Sequence, residues 1–293
     1  MSSSALRPLS GALPGLTFEE FFADGISATA FSTESRSIGV ASSSGRLSLL
    51  SEHGERINET VQFAGVRLLC LADSGAAGLA VCGDRQLRCF DRQLQSWWDA
   101  RVTGRVTAIA VAPYGSHFAF ATDSSRIHIV NSERKEIREI QSSRPVEHLH
   151  FLAHQAAVIA AAEYGDLSCT SLAGDVIWHD PQAGNLGMTA VAEAGDRLFV
   201  AAFNHGVQVR DLDGTQMGTF AIDGIPAAVA CSATEDSVVI RTLEGRLFCL
   251  NFDGKIRWIA ELPDDSLVGM HINATGSQLI LAWESGRLCS FRL

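Results

Sequence analysis

No uninterrupted apolar stretch in the sequence reaches the roughly 18 residues that a membrane-spanning helix needs. The segment from Met1 to Pro8 lacks the charged start and apolar run of a secretory signal. Charged residues make up only 19% of the 293, and no long block of one sign occurs. With 46% hydrophobic residues available to fill a core, this excludes a largely disordered chain. Basic clusters are also missing. The net charge is -10, and the runs Glu133-Arg134-Lys135-Glu136 and Arg138-Glu139 mix both signs, as a solvated face does. Nucleic acid is therefore not expected as a partner, because phosphate binding needs a concentrated Lys/Arg footprint. The seven cysteines are an odd number, scattered singly, with no Cys-x-x-Cys pair. Without a signal segment, they point to free thiols in a reducing, cytoplasmic compartment.

What is present is a repeat. Gly45-Arg46-Leu47, Gly165-Asp166-Leu167, Gly245-Arg246-Leu247 and Gly286-Arg287-Leu288 recur in one register. The aligned aliphatic column is Leu47, Leu87, Ile127, Leu167, Val207, Leu247 and Leu288, with five spacings of 40 and a last one of 41. Two further apolar columns keep step: Val40, Ala80, Phe120, Ala160, Val200, Ile240, Leu281, and Phe31, Leu71, Val111, Phe151, Val191, Cys231, Ile272. Gly54, Gly174, Gly214 and Gly254 share one turn position, and Trp98, Trp178 and Trp258 follow at spacings of 80.

Each unit reads as four short strands. In the fifth unit, apolar residues from Thr189 to Val191 precede a turn at Glu193-Ala194-Gly195-Asp196. Arg197 to Ala202, Val207 to Arg210 and Thr215 to Ala221 follow, separated by Asn204-His205-Gly206 and Leu212-Asp213-Gly214. Gly beside Asp or Asn supplies the positive φ of tight hairpins. One such sheet cannot hide both apolar faces, but sheets set radially bury each other. The innermost column, Ala30, Cys70, Ala110, His150, Ala190, Ala230, His271, is mostly small, as a crowded central strand requires. The expected fold is all-β: a seven-bladed propeller over residues 16–293, preceded by a flexible segment over 1–15.

The seventh unit ends at Leu293 in its third strand. Counting back by the repeat puts Phe18 in the tryptophan column, so Thr17 to Phe22 supplies the missing fourth strand and removes an open edge. Thr17-Phe18-Glu19-Glu20 also fits a helix capping box. The strand agrees with the repeat register.

These units resemble WD-repeat propellers. Ala112-Pro113-Tyr114-Gly115 and Asn273-Ala274-Thr275-Gly276 are similar to that family's first turn, and Asp123-Ser124-Ser125-Arg126-Ile127-His128-Ile129 to its third-strand entry. No Gly-His dipeptide opens the units, and the Trp-Asp position holds Phe90-Asp91, Val130-Asn131 or Arg210-Asp211. Asp253-Gly254-Lys255-Ile256-Arg257-Trp258 also resembles the blade ends of quinoprotein-type repeats. Some of those bind a quinone with a metal ion. No matching ligand set occurs here, and no cofactor is expected. The resemblance, which covers the chain after about residue 15, implies an interaction platform.

Candidate sites follow from this frame. His148, His150 and His154 are the densest histidine group, but a metal needs three or four converging ligands, and the register brings no Cys or carboxylate to them. His150 and His271 are read as core or channel-lining residues, with no metal expected. Cys89, Cys169 and Cys249 are read as buried small hydrophobes. Asp211-Leu212-Asp213-Gly214 starts like a calcium loop, but Thr215-Gln216-Met217 follows in place of the helix and glutamate, so a hairpin turn is the reading. Asp264-Asp265, after Pro263, fits a solvated loop. No Gly-x-Ser-x-Gly, phosphate loop or His-Glu-x-x-His occurs.

Turns between second and third strands should share one face of the disc. They are polar at Ser42-Ser43-Ser44, Gly83-Asp84 and Asp123-Ser124. In the last four units they carry Tyr164, Phe203, His205, Leu243 and Trp283 beside Glu163, Glu244 and Glu284. Aromatic tips ringed by carboxylates suit a protein interface; alternatively, each tip folds back onto its own blade. The expected function is a non-catalytic scaffold binding a protein or peptide through one face, alone or as a subunit of a larger assembly. The alternative is a propeller with a small molecule or cofactor at its channel mouth, an enzyme included, since groups drawn from distant blades would leave no motif.

Overall fold

The computed structural model describes residues 5–293 except 163, 193, 195, 234 and 235. Two strands precede the first complete blade: β1 (Arg7–Ser10) and β2 (Gly15–Phe21). Blade 1 is β3 (Ile26–Ser32), β4 (Ser37–Ser42), β5 (Leu47–Ser51) and β6 (Arg56–Thr60). Blade 2 is β7 (Val66–Leu71), β8 (Ala77–Cys82), β9 (Gln86–Asp91) and β10 (Ser96–Arg101). Blade 3 is β11 (Val106–Val111), β12 (His117–Thr122), β13 (Arg126–Asn131) and β14 (Glu136–Gln141). Blade 4 is β15 (His148–Phe151), β16 (Ala157–Ala162), β17 (Asp166–Ser171) and β18 (Val176–Asp180). Blade 5 is β19 (Leu186–Ala192), β20 (Arg197–Ala202), β21 (Gly206–Arg210) and β22 (Gln216–Phe220). Blade 6 is β23 (Pro226–Cys231), β24 (Val238–Thr242), β25 (Arg246–Leu250) and β26 (Ile256–Glu261). Blade 7 takes β27 (Leu267–Ile272), β28 (Gln278–Trp283) and β29 (Arg287–Arg292) from the C-terminal end and β2 from the N-terminal end.

Every pairing within a blade is antiparallel, and the inner strands touch in order around the ring until β27 meets β3. No α-helix occurs among the described residues, so no helix is long and apolar enough to cross a membrane. The chain folds as a seven-bladed propeller of four-stranded blades. In the fifth unit the observed strands follow the sequence pattern closely, but β19 starts earlier, at Leu186. The expected turn residues Glu193 and Gly195 lie outside the described residues.

The core lies between blades. The second strands β4, β8 and β16 are buried along their whole length, because both faces of each meet a neighbouring blade. The outer strands share an irregularity. In each, the register against the third strand slips at one residue, such as Trp97 between Ser96 and Trp98. Such a bulge turns a side chain out of the ladder. The bulge residues Ile57, Trp97, Ile137, Ile177 and Met217 accordingly form exposed apolar points around the rim.

Three of the four column glycines pack against an aromatic ring of the preceding blade. A Cβ on Gly214 would lie 2.6 Å from the Trp178 ring, one on Gly254 2.6 Å from Phe220, and one on Gly54 2.9 Å from Phe18. Trp178, Phe220 and Phe18 thus rest on the third turn of the next blade, while Gly174 meets the Arg138 side chain instead. These glycines also have φ near +85° (Gly54 84°, Gly214 86°, Gly254 81°). The residue at the end of the third strand has a local task in the same turn. Asp91 Oδ1 accepts from the Gln95 N–H at 2.9 Å, and Asn131 Oδ1 from Lys135 at 2.8 Å. Asp211 Oδ1 accepts from Thr215 at 2.8 Å and Asn251 Oδ1 from Lys255 at 2.7 Å.

Closure follows the repeat register. β2 pairs with β29 with Leu16 opposite Phe291, Phe18 opposite Ser290 and Glu19 opposite Cys289. Thr17 donates its hydroxyl to the Ser290 carbonyl at 2.9 Å, and Glu19 pairs with Arg287. The capping-box alternative for Thr17 to Glu20 is not taken. Part of the stretch set ahead of the propeller in the sequence is also bound to the ring. β1 joins blade 6 as a fifth strand beside β26, with Arg7 opposite Glu261 and Pro8 opposite Ala260. Ala5 and Leu6 are buried there.

Candidate functional site

Second-to-third-strand turns and the loops that link one blade to the next share one face of the disc. Backbone bonds tie the two together: Phe203 N–H donates to Asn185 O at 3.0 Å and Leu243 N–H to Ile225 O at 2.9 Å. Tyr164 forms a β-bridge with the same Asn185. A Cβ on Gly184 would lie 3.4 Å from the His205 ring. Tyr164, Phe203 and His205 are therefore gathered around one short loop, residues 184–185, although 41 residues of sequence separate the first from the last.

Exposure divides the five tip residues. Tyr164 is 62% exposed and Leu243 57%, with Ile225 beside it at 39%. His205 is exposed and Phe203 half-buried. The Phe203 ring lies over Gly187, where a Cβ would come within 3.1 Å of it, so this side chain partly folds back onto its own blade.

Trp283 does not present a side chain at this face, contrary to the sequence reading. It is the last residue of β28, is 0% exposed, and packs in the cluster between blades 6 and 7. The Arg287 guanidinium covers it, 5.8 Å from the ring centroid. Trp283 stands in the column of Thr242 and Ala202, the buried last residues of their second strands, one position before the tip residues Leu243 and Phe203.

Of the expected carboxylates, Glu244 closes the local loop. Its two carboxylate oxygens accept from the Ile225 N–H at 3.1 and 3.0 Å. Hydrogen bonds from backbone N–H groups, its own and that of Ile225, hold its pKa below the usual carboxylate range. Glu284 is exposed, and Glu163 lies outside the described residues.

The opposite face holds the channel mouth. A cavity of about 520 Å³ is lined by first turns and inner strands of all seven blades, among them Phe31, Cys70, Tyr114, His150, Val191 and Ala274. His150 Nε2 lies 2.8 Å from Thr189 Oγ1 of the next blade. His271 Nε2 lies 2.9 Å from Thr29 Oγ1 in the same columns three blades on. Gly269 makes the second contact possible, since a Cβ there would lie 1.8 Å from Thr29 Oγ1. Burial pushes His148, His150 and His271 down to about 4, so all three are neutral at neutral pH. His271 does not line the cavity that holds His150.

Among the described residues, one group of three metal-capable side chains converges, with ligand atoms within 4.8 Å: His128, Glu136 and Glu139 on the rim. There His128 Nδ1 lies 2.9 Å from Glu136 Oε2, and its ring stacks on Phe120 at 4.7 Å. His148, His150 and His154 do not form such a group. Cys89, Cys169 and Cys249 are buried, and burial raises their thiols to about 12, 11 and 11.

A scan against models of protein families finds no match, and no curated protein matches the chain.

Proposed function

We propose that the protein is a non-catalytic, WD-like scaffold that takes a protein or peptide partner on the face carrying Tyr164, Phe203, His205 and Leu243. One observation carries the reading: three blades deliver large, exposed side chains to neighbouring turns that backbone hydrogen bonds hold in place. Aromatic and aliphatic anchors on a rigid support lose little entropy on binding, and few of them dominate an interface. The seven free thiols fit a reducing compartment such as the cytoplasm.

The test compares the wild type with the Tyr164→Ala, Leu243→Ala double variant as immobilised bait in native extract, read by quantitative mass spectrometry. A specific partner should fall at least tenfold in the variant while its melting temperature stays unchanged. Equal recovery of every captured protein would contradict the reading.

A second reading rests on the 520 Å³ cavity at the channel mouth, which falls in the size range of small-molecule sites. A ligand there would meet His150 and His154. Native mass spectrometry separates the two readings: a retained small molecule favours the cavity, a retained polypeptide the turn face or a fixed place in a larger assembly.

A further inference from the structure

Blades 2, 4 and 6 carry a tryptophan on the outer strand, each at the mouth of the groove to the next blade. In the groove between blades 6 and 7, Leu247, Trp258, Ala260 and Leu262 share a cluster with Leu281 and Phe291. The chain fills this groove itself. Ala5 and Leu6 belong to the same cluster; Leu6 is 2% and Trp258 5% exposed. The following residues form β1 on the edge of β26, and Arg7 makes a salt bridge to Glu261. One short segment thus supplies an apolar anchor, an added strand and an ion pair.

The groove between blades 2 and 3 is the repeat counterpart, and it is open. Leu87, Trp98, Ala100 and Val102 face Phe120 and Val130 around a cavity of about 300 Å³. These six occupy the same columns as the six above. Trp98 and Ala100 remain partly exposed where Trp258 and Ala260 are buried, and β10 is a free sheet edge. The third such groove, between blades 4 and 5, is polar. Asp180 replaces the alanine and Arg210 the apolar residue opposite, and the two form a 2.6 Å salt bridge.

Charge distinguishes the open groove from the filled one. Arg101 stands where blade 6 has Glu261. It is exposed and makes no salt bridge among the described residues. A segment like the chain's own N-terminal strand would set its Arg7 against Arg101. An acidic residue in that place would pair with it. Arg134 Nη1 already donates to the Asp99 carbonyl at 2.8 Å, which confines an added strand to the Ala100–Arg101 end of β10.

We infer that the groove between blades 2 and 3 binds an extended peptide of a partner protein. The peptide lays a small residue and a leucine against Trp98, Ala100 and Val102, follows them with Asp or Glu against Arg101, and adds as a fifth strand to β10. This site is on the rim and is separate from the turn face proposed above.

The test uses the full chain and two labelled octapeptides, SALEPLSG and SALRPLSG, the second being the chain's own residues 4–11, read by fluorescence anisotropy. The acidic peptide should bind at least tenfold more tightly than the basic one. Arg101→Glu, a surface change that leaves the apolar groove intact, should reverse that order. Val102→Asp should abolish binding of both. No binding by either peptide, equal binding of the two, or an order unchanged in Arg101→Glu would overturn the proposal. So would a photo-cross-link from the leucine position that maps to Trp258 instead of Trp98.

Discussion

At Gly254 two demands meet: a φ of 81°, and a Phe220 ring where a Cβ would fall 2.6 Å away. Gly83 has the first demand without the second; its φ is 60° and nothing lies within 4 Å of the Cβ position. Left-handed backbone costs an L-residue about 1–2 kcal/mol, and forcing an atom into a packed site costs about 1–3 kcal/mol more. Gly83→Ala should therefore lower unfolding free energy by about 1 kcal/mol and Gly254→Ala by about 3 kcal/mol, measured by urea denaturation. Equal losses would mean that the aromatic contact contributes nothing. The glycine column was legible in the sequence as a spacing. Its ring partners were not, because they belong to adjacent blades and Phe220 stands two residues beyond the tryptophan column. Trp283 misled for a different reason. It stands two residues after Leu281, as Thr242 does after Ile240, so the repeat register itself places it in the buried strand and not in the turn that Glu284, Ser285 and Gly286 make.

Among the strands, the inner seven bear most directly on the channel. Their sequence column predicts small side chains, and the two histidines in it, His150 and His271, each bridge to a threonine on the next inner strand. The pattern identified the column but not its partners, since Thr29 and Thr189 look unremarkable in sequence. Burial holds both imidazoles at about 4, below the usual value of about 6.5. The unfolded chain then takes up protons between about pH 6.5 and 4 that the folded chain does not. Stability should be level above about pH 6.5 and fall as pH drops toward 4. Denaturation midpoints at pH 7.5 and pH 5 should differ more for the wild type than for the His150→Gln, His271→Gln variant. The same pH slope in both would exclude these rings as its source. β1 had no sequence signature. A strand of four residues that pairs outside the repeat offers no periodicity, and only Ala5 and Leu6 against Trp258 show what holds it.

For the whole molecule, every proposed surface depends on the ring. Seven sheets cover one another's apolar faces only if the last meets the first, and β2 makes that junction by crossing from one end of the chain to the other. The seven-fold register and the missing fourth strand were both legible, because spacing is a one-dimensional property. Which turn residues face solvent depends on three-dimensional packing, which a column does not encode. Closure can be measured directly, because Glu19 lies opposite Cys289 across β2 and β29. Directly opposed residues on antiparallel strands fall within the Cα separation that a disulfide spans. A Glu19→Cys variant, oxidised and analysed by peptide mass spectrometry, should yield a single intramolecular disulfide to Cys289 and a higher melting temperature than its reduced form. If the introduced thiol instead stays open to alkylating reagents in the folded protein, and no cross-linked peptide containing Cys289 forms, the closed seven-bladed ring is contradicted.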